Sequence, residues 1–558
     1  MSIFKKLLLR AIYSLIGYLI AKRDARSSSA KWFPNCFGKN FLYSPLFPQA
    51  DGKAYWAKYH AEKLDNPLTV NFKRFKADIL KGQLCCAGSW HELNIDVPSA
   101  LPYAVTGVPI HQLDREYEAL LRCSGSTMRL GGLAADRFYY LPIREPGEVA
   151  LKSDHNLIVA EAIPLQQKKK HPLRMVMTVF IDNFGWDVLH HIDVETSLPN
   201  ISRFFSKGAV FENCYSASNW TLAGVGSIVS GKLLSSHNMF HFSKDDVLLG
   251  DGYKVLPEYF QEDGYLTFQV CGNTRKSPGY RYVKGYDRTV YRNEMPLCES
   301  LDVLYDHVRA FPERDHFVWL TIMDAHHTLA AEPDVANQLQ AHLMAQDYAR
   351  PKGKSPMQLG FDAPVLARYV EELKRIDFHL GMLFSFLEER YSDDDMVVAL
   401  VSDHGPGCLS NDPHPLAHQK THVAYMLRGR GVSPGRIQEI THVTDILPSL
   451  LKLASLPPAS SIDGRLPVAL GGNEARSFAT AEIKYAGLPY EASIKDAEFE
   501  FYLKTKARVD DKGNVDIADH DVELFPKLDW SRDVIADHPE LAAGYTAHVA
   551  SILGQSRS

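Results

Sequence analysis

Cysteine is scarce in this chain. Eight cysteines are scattered over 558 residues with no CxxC pair. That sparsity excludes a disulfide-stapled scaffold and a thiolate zinc ribbon, and it reads as buried free thiols in a reducing compartment. Charge of one sign is also lacking. Sixty-one Lys+Arg against 67 Asp+Glu leave a formal net charge of −6, which argues against a general nucleic-acid binder. No apolar run reaches the roughly 20 residues of a membrane span. The run from Leu7 to Ile20 is 14 residues long and carries Arg10. There is no internal repeat and no long low-complexity tract, so a solenoid is excluded.

What is present falls into four segments. Lys5 and Lys6 precede the Leu7–Ile20 run, and Lys22, Arg23 and Arg26 follow it. Residues 1–26 therefore read as an amphipathic helix, apolar side in lipid and basic flanks on anionic headgroups. A signal sequence and a helix packed on the protein's own body are the alternatives. The expected location is cytoplasmic and peripheral on a membrane surface, with an exported location as the other option.

Residues 27–165 hold short alternating stretches such as Trp90–Val97, Phe138–Ile143 and His155–Ala160, separated by turn residues. They predict a β-rich accessory domain, interrupted by a helix over 114–122. Gln166–His171 is a polar, basic connector. From 172 to 470 apolar strands alternate with helices. Met175–Ile181, Leu266–Val270, Phe317–Met323 and Met396–Val401 read as strands buried on both faces. This alternation predicts a mainly parallel α/β sheet flanked by helices. Residues 471–558 complete the chain as a small α+β subdomain.

In such sheets ligands sit beyond the carboxyl ends of strands. Asp182, Asp324 and Asp403 each stand just past such an end, and histidines accompany two of them. Taken singly, an Asp there is most often a cap or turn residue. Together, carboxylates, imidazoles and the hydroxyl of Thr221 form a ligand set for a divalent cation. Such an ion lowers a hydroxyl's pKa and polarises an ester oxygen.

These motifs resemble the alkaline phosphatase/sulfatase superfamily, in its sulfatase-like branch, over about residues 174–552. The resemblance is carried in order by Asp182-Asn183, Thr221 through Ser230-Gly231, Lys284–Asp287, Met323–His326, Arg375–Asp377, Ser402–Gly405, Asp445–Pro448, Ile462–Gly464 and Val522–Phe525. It implies the superfamily's sheet and a metal-assisted attack on an ester. The departures are specific. Thr221 stands at the position where a sulfatase needs a cysteine or serine to oxidise to formylglycine, and threonine cannot give that aldehyde. Val225 replaces an arginine, Asn183 an acid and His404 an asparagine.

The resemblance implies one metal site from Asp182, Thr221, Asp403 and His404, holding zinc or manganese in preference to magnesium or calcium. A second ion would use Asp324, His327 and His418, although Thr328 stands at the usual histidine position. With one ion instead of two, the histidines would contact the phosphoryl group. His326 is expected to serve the leaving group, and Asn183, Asn219 and His422 the substrate. The implied activity is phosphomonoester or phosphodiester hydrolysis through a phosphothreonine at Thr221, on a substrate that is free or linked to a glycan or lipid. The alternatives are transfer of a phosphoethanolamine or phosphoglycerol group at a membrane surface, and a catalytically dead binding scaffold. Asn219-Trp220-Thr221 is also a formal glycosylation sequon, read as coincidence, because a glycan there would block the nucleophile.

Overall fold

The computed structural model describes residues 45–48, 54–57, 76–85, 87–105, 117–133, 138–155, 157–167, 169–240, 249–250, 252–276, 280–292, 294–326 and 360–555. The helix expected over 1–26 lies outside these residues, as do His327 and Thr328. Among the described residues no helix is long and apolar enough to cross a membrane.

The strands that position the site are β1 (Lys76–Cys85), β2 (Met175–Ile181), β3 (Ala209–Tyr215), β4 (Leu266–Cys271), β5 (Arg288–Arg292), β6 (His316–Ile322), β7 (Met396–Val401), β8 (Tyr425–Gly429) and β9 (Gly435–His442). The helices used below are α1 (Thr221–Ser230), α2 (Leu297–Ala310), α3 (Ala363–Glu388), α4 (Ile446–Leu453) and α5 (Pro539–Gln555). In the central sheet the order is β1-β5-β4-β6-β2-β7-β8-β3-β9. The five strands from β5 to β7 run parallel. β8 is antiparallel to both β7 and β3, so β3 points the same way as the parallel set.

The sheet is buried on both faces because its strands are apolar without alternation. Val176, Phe180, Phe317, Trp319, Val397 and Val401 face one layer, which contains α1 and α4. Met175, Met177, Val179, Val318, Leu320 and Leu400 face the other, with α2 and α3. Each such side chain contributes about 1.5–3 kcal/mol by leaving water. The scaffold beneath the strand ends is therefore stiff. That stiffness is what lets loops hold a precise polar cluster.

The 27–165 segment is β-rich, and its strands divide between two sheets. His91–Ile95, Gly147–Lys152, Tyr117–Cys123 and Ser126–Leu133 pair as a separate four-stranded antiparallel sheet around its own core. β1, Ser99–Val105 and Leu157–Ala160 instead extend the central sheet through the β1–β5 pair. Arg288 on β5 clamps Asp78 on β1 at that junction through Nε–Oδ1 2.9 Å and Nη2–Oδ2 2.5 Å. The helix predicted over 114–122 is instead the strand Tyr117–Cys123. Ala119 and Leu121 are buried while Glu118, Leu120 and Arg122 are exposed, and this period of two outweighs helix propensity.

At the C-terminal end, Ala479–Ile483, Pro489–Lys495, Phe499–Arg508 and His520–Pro526 form an antiparallel sheet packed under α5.

Candidate active site

The strand directions bring five loops to one edge of the sheet. Asp182 follows β2, Asn273 follows β4, Asp324 follows β6 and Asp403 follows β7. Thr221 opens α1, which follows β3. The loop leading into α1 is polar and closely tethered. Ser216 N–H donates to Thr421 O at 2.7 Å, Ser218 Oγ to Glu482 O at 2.7 Å and Asn219 Nδ2 to Pro415 O at 2.8 Å. Trp220 is extended (φ −154°, ψ 154°) and hands the chain to the first helical turn. Small residues then let the helix approach its neighbours. A Cβ on Gly224 would lie 2.8 Å from Asp403 O. Gly231, at φ 67°, ends the helix in the left-handed region.

The result is a buried convergence of oxygen and nitrogen lone pairs. Thr221 Oγ1 donates to Asp182 Oδ2 at 3.2 Å and stands 3.5 Å from His404 Nε2. His404 Nε2 lies 3.7 Å from Asp182 Oδ1 and 3.5 Å from Asp403 Oδ2. His404 Nδ1 faces Gly405 O at 3.4 Å, so Nε2 is the nitrogen turned toward the carboxylates. His326 Nε2 reaches within 4.0 Å of Asp182 Oδ1 from the more open side, where its side chain is 27% exposed. Asp182 and Asp403 are fully buried. Burial and the neighbouring Asp403 carboxylate together push Asp182 well above the usual carboxylate range. Asp182 Oδ1 and Asp403 Oδ2 accept no hydrogen bond from the described residues.

Two buried acids and an imidazole lone pair facing one another are a ligand set for a cation. Two atoms that each bind one ion at about 2.1 Å are at most about 4.2 Å apart. The separations quoted above all fall within that limit, so Asp182 and His404, with His326 beside them, form a candidate group for one divalent ion, which Thr221 and Asp403 border. Asn273 was not foreseen from sequence. Its Nδ2 donates to Asp182 Oδ2, and its Oδ1 accepts from Arg275 N–H at 2.6 Å. The available signal was its place just past an apolar strand, like the three acids.

Several other residues lie elsewhere than expected. Asn183 takes a left-handed backbone (φ 68°). Its N–H donates to Asp403 Oδ1 at 3.2 Å, and its carbonyl accepts from Tyr369 OH at 2.6 Å. Asn183 thus holds Asp403 in place through the main chain. Asn219 is tethered through Nδ2 to Pro415 O. Of the second ion site expected from Asp324, His327 and His418, His327 lies outside the described residues. The Asp324 carboxylate is ion-paired with Arg375, whose Nε also bonds Glu372 Oε2 at 2.8 Å. A guanidinium in that position removes the charge that a second cation would need. His418 and His422 join Asp187 instead, in a separate group.

The Sulfatase family profile matches residues 174–456, half of the chain. The chain belongs to the sulfatase family and is a hydrolase of the alkaline phosphatase/sulfatase superfamily. N-acetylgalactosamine-6-sulfatase of Canis lupus familiaris is 23% identical over 362 residues, which cover 53% of this chain and 66% of that relative. A 2-O GAG sulfatase superposes with a TM-score of 0.53 at 13% identity, covering 70% of this chain and 93% of the other. The phosphonate monoester hydrolase of Silicibacter pomeroyi gives 0.52 at 18% identity, covering 68% and 94%. That of Agrobacterium radiobacter gives 0.51 at 13%, covering 68% and 95%.

Proposed function

We propose that this enzyme hydrolyses phosphoric esters, with Thr221 as nucleophile and one divalent cation held by Asp182, Asp403, His404 and the Thr221 oxygen. The observation that carries this reading is the Thr221 hydroxyl at a helix start, hydrogen-bonded to Asp182 inside a cluster whose Asp182 Oδ1 and Asp403 Oδ2 meet no hydrogen-bond donor among the described residues. A threonine cannot become formylglycine, which counts against sulfate-ester chemistry. Val225 points the same way. It is sealed in the apolar core, so the cation that sulfatases carry there is replaced by packing. Phosphonate monoester hydrolases are among the proteins that share this fold.

When bound, the cation supplies Lewis-acid charge that favours the Thr221 alkoxide and the ester oxygen. The protein's own groups do the rest. The Thr221 proton faces Asp182 Oδ2, so it has a defined exit as Oγ1 bonds to phosphorus. The P–O bond opposite breaks, and its electron pair goes to the leaving oxygen. We assign the protonation of that oxygen to His326, on the open side. Water then attacks the phosphorus of phosphothreonine and releases the Thr221 hydroxyl. Asn273 and Asn183 act as positioning residues for the two carboxylates.

The test is a panel of aryl phosphate monoesters, phosphodiesters and sulfates, assayed with the wild type and Thr221→Ala. Phosphate-ester turnover that the substitution abolishes, with metal content kept, supports the reading. Retained turnover, or comparable activity on an aryl sulfate, overturns it. Product release without an added acceptor separates hydrolysis from transfer to a glycan or lipid.

A further inference from the structure

Asp187, His418 and His422 come from two distant stretches of chain and meet beside a cleft of ≈ 590 Å³. They share no residue with the Thr221 cluster. His422 Nδ1 lies 2.9 Å from Asp187 Oδ1, His418 Nε2 lies 3.1 Å from His422 Nδ1, and His418 Nε2 lies 3.9 Å from Asp187 Oδ1. The centre of that triangle is about 2.0 Å from each corner, against zinc–ligand lengths of about 2.0–2.2 Å. We propose that this triangle is a second, independent zinc site, built to join the β2 loop to the segment that enters β8.

The outer contacts decide which ring nitrogens are free. His418 Nδ1 faces the Glu500 carboxylate at 3.0 Å, and His422 Nε2 faces Glu212 O at 2.7 Å. Both partners are pure acceptors, so each of these nitrogens carries the proton. In the neutral rings the opposite nitrogens, His418 Nε2 and His422 Nδ1, are then lone pairs, and they face each other and the Asp187 carboxylate. Three acceptors 2.9 to 3.9 Å apart repel unless a proton or a metal cation lies among them. The carboxylate–histidine and carbonyl–histidine pairs are the outer shell that metal-bound imidazoles characteristically have. His190 Nδ1, 3.8 Å from Asp187 Oδ1 on an exposed side chain, is within a short swing of the fourth position. Glu500 belongs to the C-terminal sheet, so the site also braces that subdomain.

The competing account is a plain hydrogen-bonded pair, with a proton in place of the metal between His422 and Asp187. The experiment removes the Thr221 cluster with an Asp182→Asn/Asp403→Asn double variant, strips all metal with a chelator and restores zinc alone. The expected result is one zinc per chain surviving dialysis, and a cobalt form with the visible absorption of a four- or five-coordinate nitrogen–oxygen site. Adding Asp187→Asn should abolish both, with an unchanged circular dichroism spectrum. Glu500→Gln should weaken zinc binding about 10- to 100-fold without removing it. No retained zinc in the double variant overturns the proposal, and that result does not depend on whether any further variant folds. Zinc retained after Asp187→Asn overturns it as well.

Discussion

Gly224→Ala tests how closely α1 is fitted to the loop that carries Asp403 and His404. The added methyl would stand 2.8 Å from Asp403 O and 2.9 Å from Asp403 Cβ, where ordinary contact begins at 3.4 Å. Either the helix or the Asp403 backbone must shift by about half an ångström. Overpacking of this kind costs about 1–3 kcal/mol, and Ala over Gly in a helix interior returns about 1 kcal/mol. The net loss of stability should therefore stay below about 2 kcal/mol. A 1 Å misplacement near reacting groups costs about 100-fold, so half that shift predicts roughly 10-fold weaker metal binding and 10-fold slower turnover. Gly226→Ala is the matched control. Its methyl would meet the His237 ring at 2.9 Å, away from the acids. It should cost similar stability and leave metal affinity unchanged. The assays are chelator competition for the metal and denaturant unfolding for stability. If Gly224→Ala binds metal as tightly as wild type, the claim that α1 sets the position of Asp403 is wrong.

Asn273→Ala removes the amide donor to Asp182, a charge-assisted bond worth about 1.5–3 kcal/mol, and should weaken metal binding roughly 10- to 100-fold by competition titration. Arg375→Ala leaves Asp324 buried without its counter-charge and should destabilise the fold by about 3–5 kcal/mol in urea, while the Thr221 site still fills with one ion. The raised Asp182 pKa predicts a pH dependence of definite sign. In metal-free protein the native state holds a proton that the unfolded chain releases near 3.8, so stability falls as pH rises from there through the raised native value. Metal binding displaces that proton, so the gap in Tm between loaded and stripped protein should widen with rising pH, as scanning calorimetry can show.

Much of the site was readable because it lies at strand ends. Apolar runs located β2, β6 and β7, and the first acids past them are Asp182, Asp324 and Asp403. The structure gathers Asp182, Thr221, Asp403 and His404, with His326 at the margin. Side-chain pairing was not readable. Asp324 has the same strand-end signature as Asp182, yet Arg375, more than 50 positions away on α3, takes up its charge. His418 and His422 were grouped with Thr221 because sequence order does not say which way a ring points. Their partner Asp187 lies only five residues after Asp182, on a separate short 3-10 turn (Trp186–His190). The predicted helix over 114–122 failed for a related reason. Its leucines and alanine suit a helix, and only pairing with the strands on either side imposes the two-residue period.

The central claim is that Thr221 becomes covalently phosphorylated during turnover. Acid-quenching the metal-loaded enzyme with an aryl phosphate ester, followed by peptide mass spectrometry, tests it directly. The account predicts one added phosphoryl group on the peptide containing Thr221, absent from Thr221→Ala and lost over time in the unquenched wild type. Steady turnover with an unmodified Thr221 peptide at every quench time, or with the phosphoryl group on another residue, would contradict it.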